Sequence, residues 1–339
     1  MKVNLKDIKE QVIVITGASS GIGLATALMA ARRGARLVLN SRDEQDLQTA
    51  LGRVQSEGGQ ATHMVGDVAD MDAMQRLAQS AVAEFGRIDT WVNNAGVSTY
   101  GRIEEVTLVD ARRLFETNYW GVVNGSLAAL PHLRAKGGAL INIGSILSST
   151  GYPLQGHYTA SKHAVKGFTD SLRLEVEESG VPVSVTLIQP AAIDTPYPEH
   201  AGNYLGVEPK HIPPVYAPEV VADAILHCAA HPVRDVLVGG SGKLFSATEK
   251  YAPRLFDRMK EATGISGQYS DVPALDDDTL HAPRPNDGRV HGGYRGHVMQ
   301  SSLYTKARLN RGKTLLGLAV IGAGMVLASR GRGGNGGRG

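Results

Sequence analysis

The stretch VIVITGASSGIG, residues 12–23, decides the fold. Residues 12–16 are all β-branched, which is typical of a strand buried on both faces of a parallel sheet. A glycine-rich turn follows, and residues 24–33 have the composition of a helix. Glycines let backbone N–H groups approach a pyrophosphate closely, and the start of a helix attracts negative charge. The stretch therefore predicts a nucleotide-binding turn, with a tight turn that holds no ligand as the alternative for this motif alone.

Strands and helices alternate through the rest of the first 240 residues. Six further apolar runs predict strands, at 36–40, 64–65, 90–94, 139–143, 183–188 and 235–238. Helical spacing or composition predicts helices at 43–57, 70–85, 108–134, 157–178 and 218–230. This alternation predicts an α/β fold: a Rossmann-type doubly wound parallel sheet in a single catalytic domain with a C-terminal extension.

The composition divides the chain into four segments. We assign residues 1–250 to the catalytic domain and residues 251–310 to an extended arm or linker, where Gly, Pro, Asp and His are frequent. Residues 311–330 are predicted to form an apolar helix, and residues 331–339 a disordered, low-complexity tail. The uncharged part of that helix, 314–329, is shorter than the roughly 20 residues that span a bilayer.

Two interpretations of this apolar helix stay open. It has no polar face and is flanked by basic residues on both sides, which favours slightly a short membrane anchor that leaves the catalytic domain in the cytoplasm. The alternative is a helix buried against the domain or in an oligomer interface. The basic residues on both sides leave the orientation in a membrane undecided.

The composition also limits the partners of the protein. A net charge of +2 gives no reason to expect a polyanionic partner, so we predict no nucleic acid binding. Cys228 is the one cysteine, and its position in the apolar run 224–230 predicts an inert core thiol. The histidines lack the spacing of metal ligands, so we predict no metal site and expect solvated or capping roles for His157, His200 and His211.

A tyrosine and a lysine four residues apart suggest acid/base chemistry. Tyr158 and Lys162 lie on one face of the predicted helix 157–178. A free tyrosine titrates near pH 10, and a neighbouring cation is expected to lower that pKa towards neutral pH. The pair therefore fits a general acid that protonates a carbonyl oxygen. Such a pair taken alone is usually a surface contact, and its position after a strand, a serine and the glycine-rich turn supports catalysis.

These motifs together resemble the short-chain dehydrogenase/reductase family over about residues 10–240. The resemblance rests on T-G-x-x-x-G-I-G at 16–23, Asp67-Val68, Asn-Asn-Ala-Gly at 93–96, and the Tyr158/Lys162 pair. It implies an oxidoreductase that transfers hydride between a nicotinamide cofactor and a small carbonyl or alcohol substrate. It also implies a homo-oligomer.

The resemblance assigns roles to individual residues. It implies that Ser145 holds the substrate oxygen, that Tyr158 is the general acid/base, and that Asn118 organises a water linking Lys162 to solvent. Lys162 also binds the nicotinamide ribose. The implied catalytic residues are Asn118, Ser145, Tyr158 and Lys162. The implied cofactor-binding residues are Gly17, Ser19, Ser20, Gly21, Ile22, Gly23, Ser41, Arg42, Asp67, Val68, Asn94, Ala95, Gly96, Tyr158, Lys162, Pro190, Ala191, Ile193 and Thr195.

The end of the second strand predicts which cofactor is used. Rossmann folds that prefer NAD carry a carboxylate there for the ribose 2′-hydroxyl, whereas this chain has Ser41 followed by Arg42. A guanidinium attracts a 2′-phosphate and can bind it with two hydrogen bonds. We therefore predict NADP(H). The alternative is that Arg42 is a solvated charge at the start of a helix.

The substrate side departs from the family pattern at one position. Residues 194–217, rich in proline and tyrosine, match the family's substrate lid, and residues 152–155 are expected to line the pocket. Ala191 stands where the family usually has glycine, and alanine fits there only if its φ is negative. Ile193 and Thr195 still match positions that contact the nicotinamide carboxamide.

Two hypotheses from other classes stay open beside the enzyme. One is a non-catalytic nucleotide sensor on the same fold, because a fold does not determine a function. The other is a membrane scaffold whose main element is the C-terminal helix. The presence of Asn118, Ser145, Tyr158 and Lys162 together favours the enzyme.

Overall fold

The computed structural model describes residues 3–240, 248–249, 251–275, 277–284 and 286–309. The apolar run 314–329 and the tail 331–339 lie outside the described residues. The predicted membrane anchor is therefore not described by the structure. Within the described part, none of the helices combines the length and apolar character that a membrane span requires.

The secondary structure follows the predicted alternation. The strands are β1 (Val12–Thr16), β2 (Arg36–Ser41), β3 (Gln60–Val65), β4 (Thr90–Asn93), β5 (Thr99–Tyr100), β6 (Gly138–Ile143), β7 (Val183–Pro190), β8 (Ala192–Ile193), β9 (Gly202–Asn203), β10 (Val207–Pro209), β11 (Val215–Tyr216), β12 (Asp235–Val238), β13 (Tyr269–Pro273) and β14 (Val298–Met299). The α-helices are α1 (Gly21–Arg32), α2 (Glu44–Ser56), α3 (Met71–Phe85), α4 (Leu108–Phe115), α5 (Gly121–Lys136), α6 (Gly156–Glu178), α7 (Pro218–Ala230), α8 (Pro253–Met259) and α9 (Leu303–Leu309).

Seven parallel strands form the central sheet in the order β12-β7-β6-β4-β1-β2-β3. Ile15 of β1 pairs with Leu39 of β2 on one side and with Val92 of β4 on the other. The chain crosses from β3 to β4 between these two halves, so a crevice opens at the carboxyl ends of β1 and β4. Ligands of open α/β sheets bind at this switch point. The predicted Rossmann-type fold is confirmed.

The sheet is buried on both faces because helices cover each side. Alternate residues of β1 enter two separate apolar layers: Ile13 and Ile15 pack in the layer of Leu24 and Ile225, and Val14 packs in the layer of Trp91. Such double burial explains why the strands have continuous apolar sequences instead of alternating ones. Cys228 is fully buried in the first layer, and burial raises the pKa of its thiol to about 12.

Two features differ in detail from the sequence prediction. The predicted helix 108–134 consists of α4 and α5 joined by one π-helical turn, Glu116–Trp120. The chain after residue 250 packs on the catalytic domain: β13 pairs with β10, and β14 pairs with β11. Short strands such as these have too few residues to show a periodicity in the sequence.

A buried polar network joins α5 to the sheet. Asn93 accepts a hydrogen bond from Trp91 Nε1 at 2.7 Å and donates to Asn142 Oδ1 at 2.8 Å. Gly125 lies directly over this network, because a Cβ there would stand 2.0 Å from Asn93 Oδ1. The close approach of α5 therefore requires glycine at this position.

We expect Gly125→Ala to lower the free energy of unfolding by about 1–3 kcal/mol, because the added methyl group forces the network apart. Gly52→Ala is the matched control, since Gly52 lies in α2 with nothing within 4 Å of its added Cβ. That change should stabilise the protein by up to about 1 kcal/mol. Urea unfolding followed by circular dichroism measures both, and equal stabilities of the two variants would contradict the packing argument.

Candidate active site

The glycine-rich turn between β1 and α1 is shaped by close backbone contacts. Gly17 and Gly21 have positive φ angles of 63° and 51°, which side chains rarely tolerate. A Cβ on Gly17 would lie 2.8 Å from Ala95 Cα, and one on Gly23 would lie 2.0 Å from the Gly17 carbonyl oxygen. The turn brings the start of α1 to the crevice, where a helix end binds anions.

Asn94 fastens this turn to the end of β4. Its Nδ2 donates to the carbonyl oxygens of Thr16 and Gly17 at 2.9 and 3.0 Å. In return, Thr16 Oγ1 accepts from the backbone N–H groups of Asn94 and Ala95 at 3.0 and 3.2 Å. The two sequence motifs that flank the crevice are therefore parts of one rigid unit.

One cavity of about 330 Å³ brings the predicted residues together. All of the predicted cofactor-binding residues line it except Gly23, which supports the turn from behind, and Ser145 lines it as well. Ala191 is also in this wall. Its φ is negative, as alanine requires at this position, since Leu154 and Asn286 are the described non-glycine residues with a positive φ. The glycine cradle and the helix start at one end fit a dinucleotide.

Three hydroxyl groups meet at the other end of the cavity. Tyr158 lies near the start of α6, and Ser145 follows β6, where its Oγ accepts from the N–H of Leu147 at 3.1 Å. The ring of Tyr197 lies 5.9 Å from the ring of Tyr158, measured between centroids. The Tyr197 hydroxyl donates to the Val97 carbonyl oxygen at 3.2 Å. A substrate oxygen placed at Tyr158 would thus face several hydrogen-bonding groups.

Burial dominates the protonation of this cluster. Burial raises the pKa of Tyr158, and hydrogen bonds with Ser145 and Tyr197 lower it by less. The sequence predicted a lowered pKa from Lys162. That lysine instead donates to the Ile143 carbonyl oxygen at 2.9 Å, with its Nζ 5.8 Å from the Tyr158 ring centroid. Burial lowers the pKa of Lys162 itself to about 8.

Asn118 lies behind the cavity, inside the π-helical turn. Its Oδ1 accepts from the Val97 N–H at 2.8 Å, and its Nδ2 donates to the Val97 carbonyl at 2.9 Å and to Ser161 Oγ at 3.0 Å. These bonds connect the segment after β4 to α6. The side chain therefore holds Tyr158's helix in position against the crevice.

Several residues of the site were missed by the sequence analysis. Tyr197 belongs to the predicted lid, whose richness in tyrosine was the only available signal. Arg113 forms an ion pair with Asp67 across 2.5 Å, and nothing in the sequence connects the two. His211 lines the cavity, and burial lowers its pKa to about 4, which differs from the solvated or capping role expected for it. From the C-terminal arm, the cavity is lined by Gln268, Thr279, Pro283, Arg284 and Asp287.

Comparison with known proteins gives a consistent result. The family model for short chain dehydrogenase matches residues 11–203. The uncharacterized oxidoreductase YxnA of Bacillus subtilis is 42% identical over 96% of this chain and 91% of its own length. The putative oxidoreductase SadH of Mycobacterium tuberculosis is 32% identical over 76% of this chain and 96% of its own length.

Solved structures also resemble much of this chain. A short chain dehydrogenase/reductase from Burkholderia phymatum, in complex with NAD, has a TM-score of 0.67 and 25% identity, covering 74% of this chain and 96% of that one. An alcohol dehydrogenase from the archaeon Thermococcus sibiricus, complexed with 5-hydroxy-NADP, has a TM-score of 0.59 and 25% identity, covering 67% and 95%.

We expect Tyr197→Phe to raise the pKa of Tyr158. The contact with the Tyr197 hydroxyl lowers the pKa of Tyr158, so its removal favours the neutral phenol. Titration of ¹³Cζ-labelled tyrosine by NMR measures this pKa, with the Tyr158 signal assigned from Tyr158→Phe. Tyr152→Phe removes another cavity-lining hydroxyl and should leave the Tyr158 pKa unchanged. Coincident titrations of wild type and Tyr197→Phe would show that the contact has no such effect.

Proposed function

Because this chain belongs to the short chain dehydrogenase family, we propose that it is an NADP(H)-dependent oxidoreductase. It transfers hydride between the nicotinamide and a carbonyl or alcohol substrate, and Tyr158 is its general acid/base. The observation that carries the proposal is the single cavity that joins the glycine-rich turn to the hydroxyls of Tyr158 and Ser145. A protein that only senses a nucleotide would not need the end of the cavity that carries Tyr158 and Ser145.

In the proposed reaction the cofactor supplies or accepts the hydride, and the protein transfers the proton. A bound nicotinamide would supply the hydride for the carbonyl carbon, or would take it up from the alcohol carbon. In reduction, Tyr158 gives its hydroxyl proton to the substrate oxygen, so that carbonyl, hydride and proton make the alcohol. In oxidation, the Tyr158 phenolate takes the proton from the alcohol. Ser145 donates a hydrogen bond to the same oxygen and stabilises the charge that develops there.

Lys162 and Asn118 support the tyrosine without touching the substrate oxygen. Burial lowers the pKa of Lys162 to about 8, which allows the lysine to exchange protons near neutral pH. Asn118 is a positioning residue, since its three hydrogen bonds hold α6 and the segment after β4 at a fixed distance.

The preference for NADP(H) rests on the groups around the end of β2. The hydroxyls of Ser19 and Ser41 lie 2.9 Å apart, and Arg42 stands beside them in the cavity wall. Backbone carbonyl groups hold the Arg42 guanidinium without neutralising its charge. A 2′-phosphate at this position would meet one cation and two hydroxyl donors.

The family relationship and the surface also support a homo-oligomer. Large apolar side chains are exposed along α4, the π-helical turn and α5, where Leu108, Val109, Trp120 and Leu127 are all 47–67% exposed. Exposed large apolar side chains that lie close together are typical of a protein–protein contact. We place the contact between copies of the chain at these helices.

The first test is consumption of NADPH by the purified protein over a broad panel of ketones and aldehydes. We expect Tyr158→Phe to lower kcat by about 10²–10⁴, because the general acid is lost. Its affinity for NADPH, measured by fluorescence, should stay close to that of the wild type. Tyr152→Phe serves as the control for a lost cavity hydroxyl. A Tyr158→Phe variant with wild-type kcat would refute the catalytic assignment.

Arg42→Ala should weaken NADPH binding about 10- to 100-fold, because it removes charge-assisted hydrogen bonds to the 2′-phosphate. NADH binding should change little. Arg32→Ala is the matched control, since Arg32 pairs with Glu57 on the surface. A wild-type protein that binds NADH more tightly than NADPH would contradict the Arg42 argument and leave the reaction class intact.

A further inference from the structure

The C-terminal arm runs across the nucleotide end of the cavity. We call residues 277–292, apart from the undescribed residue 285, the strap. Its members Thr279, Pro283, Arg284 and Asp287 line the same cavity as the glycine-rich turn. The strap lies about 260 residues further along the chain than the turn and comes from outside the central sheet.

The first half of the strap contacts the side chains at the end of β2, where the adenosine is expected to bind. Arg42 donates to the carbonyl oxygens of Leu280 and His281 at 3.2 and 3.3 Å, and also to that of Thr279. Arg113, the ion-pair partner of Asp67, donates to the Leu280 carbonyl at 3.0 Å. The strap backbone therefore orients Arg42, which the sequence assigned to the 2′-phosphate, and reaches Asp67 through Arg113.

The other half of the strap crosses the glycine-rich turn. The N–H of Gly21 donates to the Arg289 carbonyl oxygen at 2.8 Å. Beyond it, Gly292 lies so close to Thr195 that a Cβ would stand 2.2 Å from the Thr195 carbonyl oxygen. Val290, between these two contacts, is buried in the apolar layer that contains α1. The strap thus bridges both walls of the crevice.

Ion pairs outside the cavity link the strap to the lid and to α4. Arg289 pairs with Glu199 of the lid at 2.6 Å and with Asp287 at 2.9 Å. Asp287 also forms a hydrogen bond with His200 of the lid. At the other half, His281 pairs with Asp110 of α4 at 2.7 Å. Lid and strap are held together in this way, and none of Arg289, His281 or Asp110 lines the cavity.

We propose that the strap is a part of the cofactor site: it covers the adenosine half of the dinucleotide, positions Arg42, and has to lift for the cofactor to enter or leave. The proposal rests on the proposed function for the identity of the cofactor. Exchange of the cofactor is then limited by breaking of the strap contacts, whereas the substrate reaches Tyr158 at the other end of the cavity.

The first test weakens the contacts of the strap by changing a residue that does not line the cavity. Arg289→Ala removes two ion pairs, so NADPH dissociation and association, followed by stopped-flow fluorescence, should each accelerate roughly fivefold or more. Hydrogen exchange should show faster exchange at the Gly21 amide, which bonds to the strap. Arg32→Ala, which breaks a surface pair of similar geometry away from the strap, should change neither rate.

The second test addresses the position of Arg42. His281→Ala frees the segment whose carbonyls hold Arg42, so NADPH affinity should fall several-fold while NADH affinity stays the same. If Arg289→Ala speeds hydrogen exchange at the Gly21 amide but leaves the NADPH association and dissociation rates as in the wild type, the strap does not cover the cofactor. Equal losses of NADPH and NADH affinity in His281→Ala would overturn the positioning role. A wild-type chain that binds neither nucleotide would refute the proposed function itself.

Discussion

The close approach of two chain segments at the carboxyl ends of β1 and β4 is the constraint on which the rest of the structure depends. Gly17 stands against the backbone of Ala95, and the Asn94 side chain bonds the turn in place. This contact sets the width of the crevice, the direction of α1 and the distance to the tyrosine cluster. Larger side chains at the contact would separate the two halves of the sheet where the ligand binds.

The fold could be predicted because its signals are local. Most of the sheet strands contain a short apolar run, and the glycine-rich turn, Asn94 and Ser145 each follow the end of a strand within a few positions. The missed features are contacts between distant parts of the chain, such as Asp67 with Arg113 and Arg42 with residues 279–281. No periodicity records such pairs, because each partner is an ordinary surface residue in its own segment.

Electrostatics in the site depends more on burial than on neighbouring charges. The sequence suggested that Lys162 sets the pKa of Tyr158, whereas the structure shows both groups governed by the loss of water. Charges and dipoles interact more strongly in such surroundings than in water. The hydroxyls of Ser145 and Tyr197 therefore have a larger influence on Tyr158 than the same groups would have at an exposed site. The lid contributes to this through Tyr197, whose ring packs against the ring of Tyr158.

The position of the strap has a consequence for the synthesis of the protein. The ribosome makes the chain from its N-terminus at about 5–20 residues per second, and domains begin to fold during that time. The seven sheet strands are complete by residue 238, whereas the strap follows only after residue 276. A nascent chain therefore passes through a stage in which the sheet and the glycine-rich turn are finished and the crevice is still open. A nucleotide that binds at this stage can be enclosed as the arm emerges, before the chain is released.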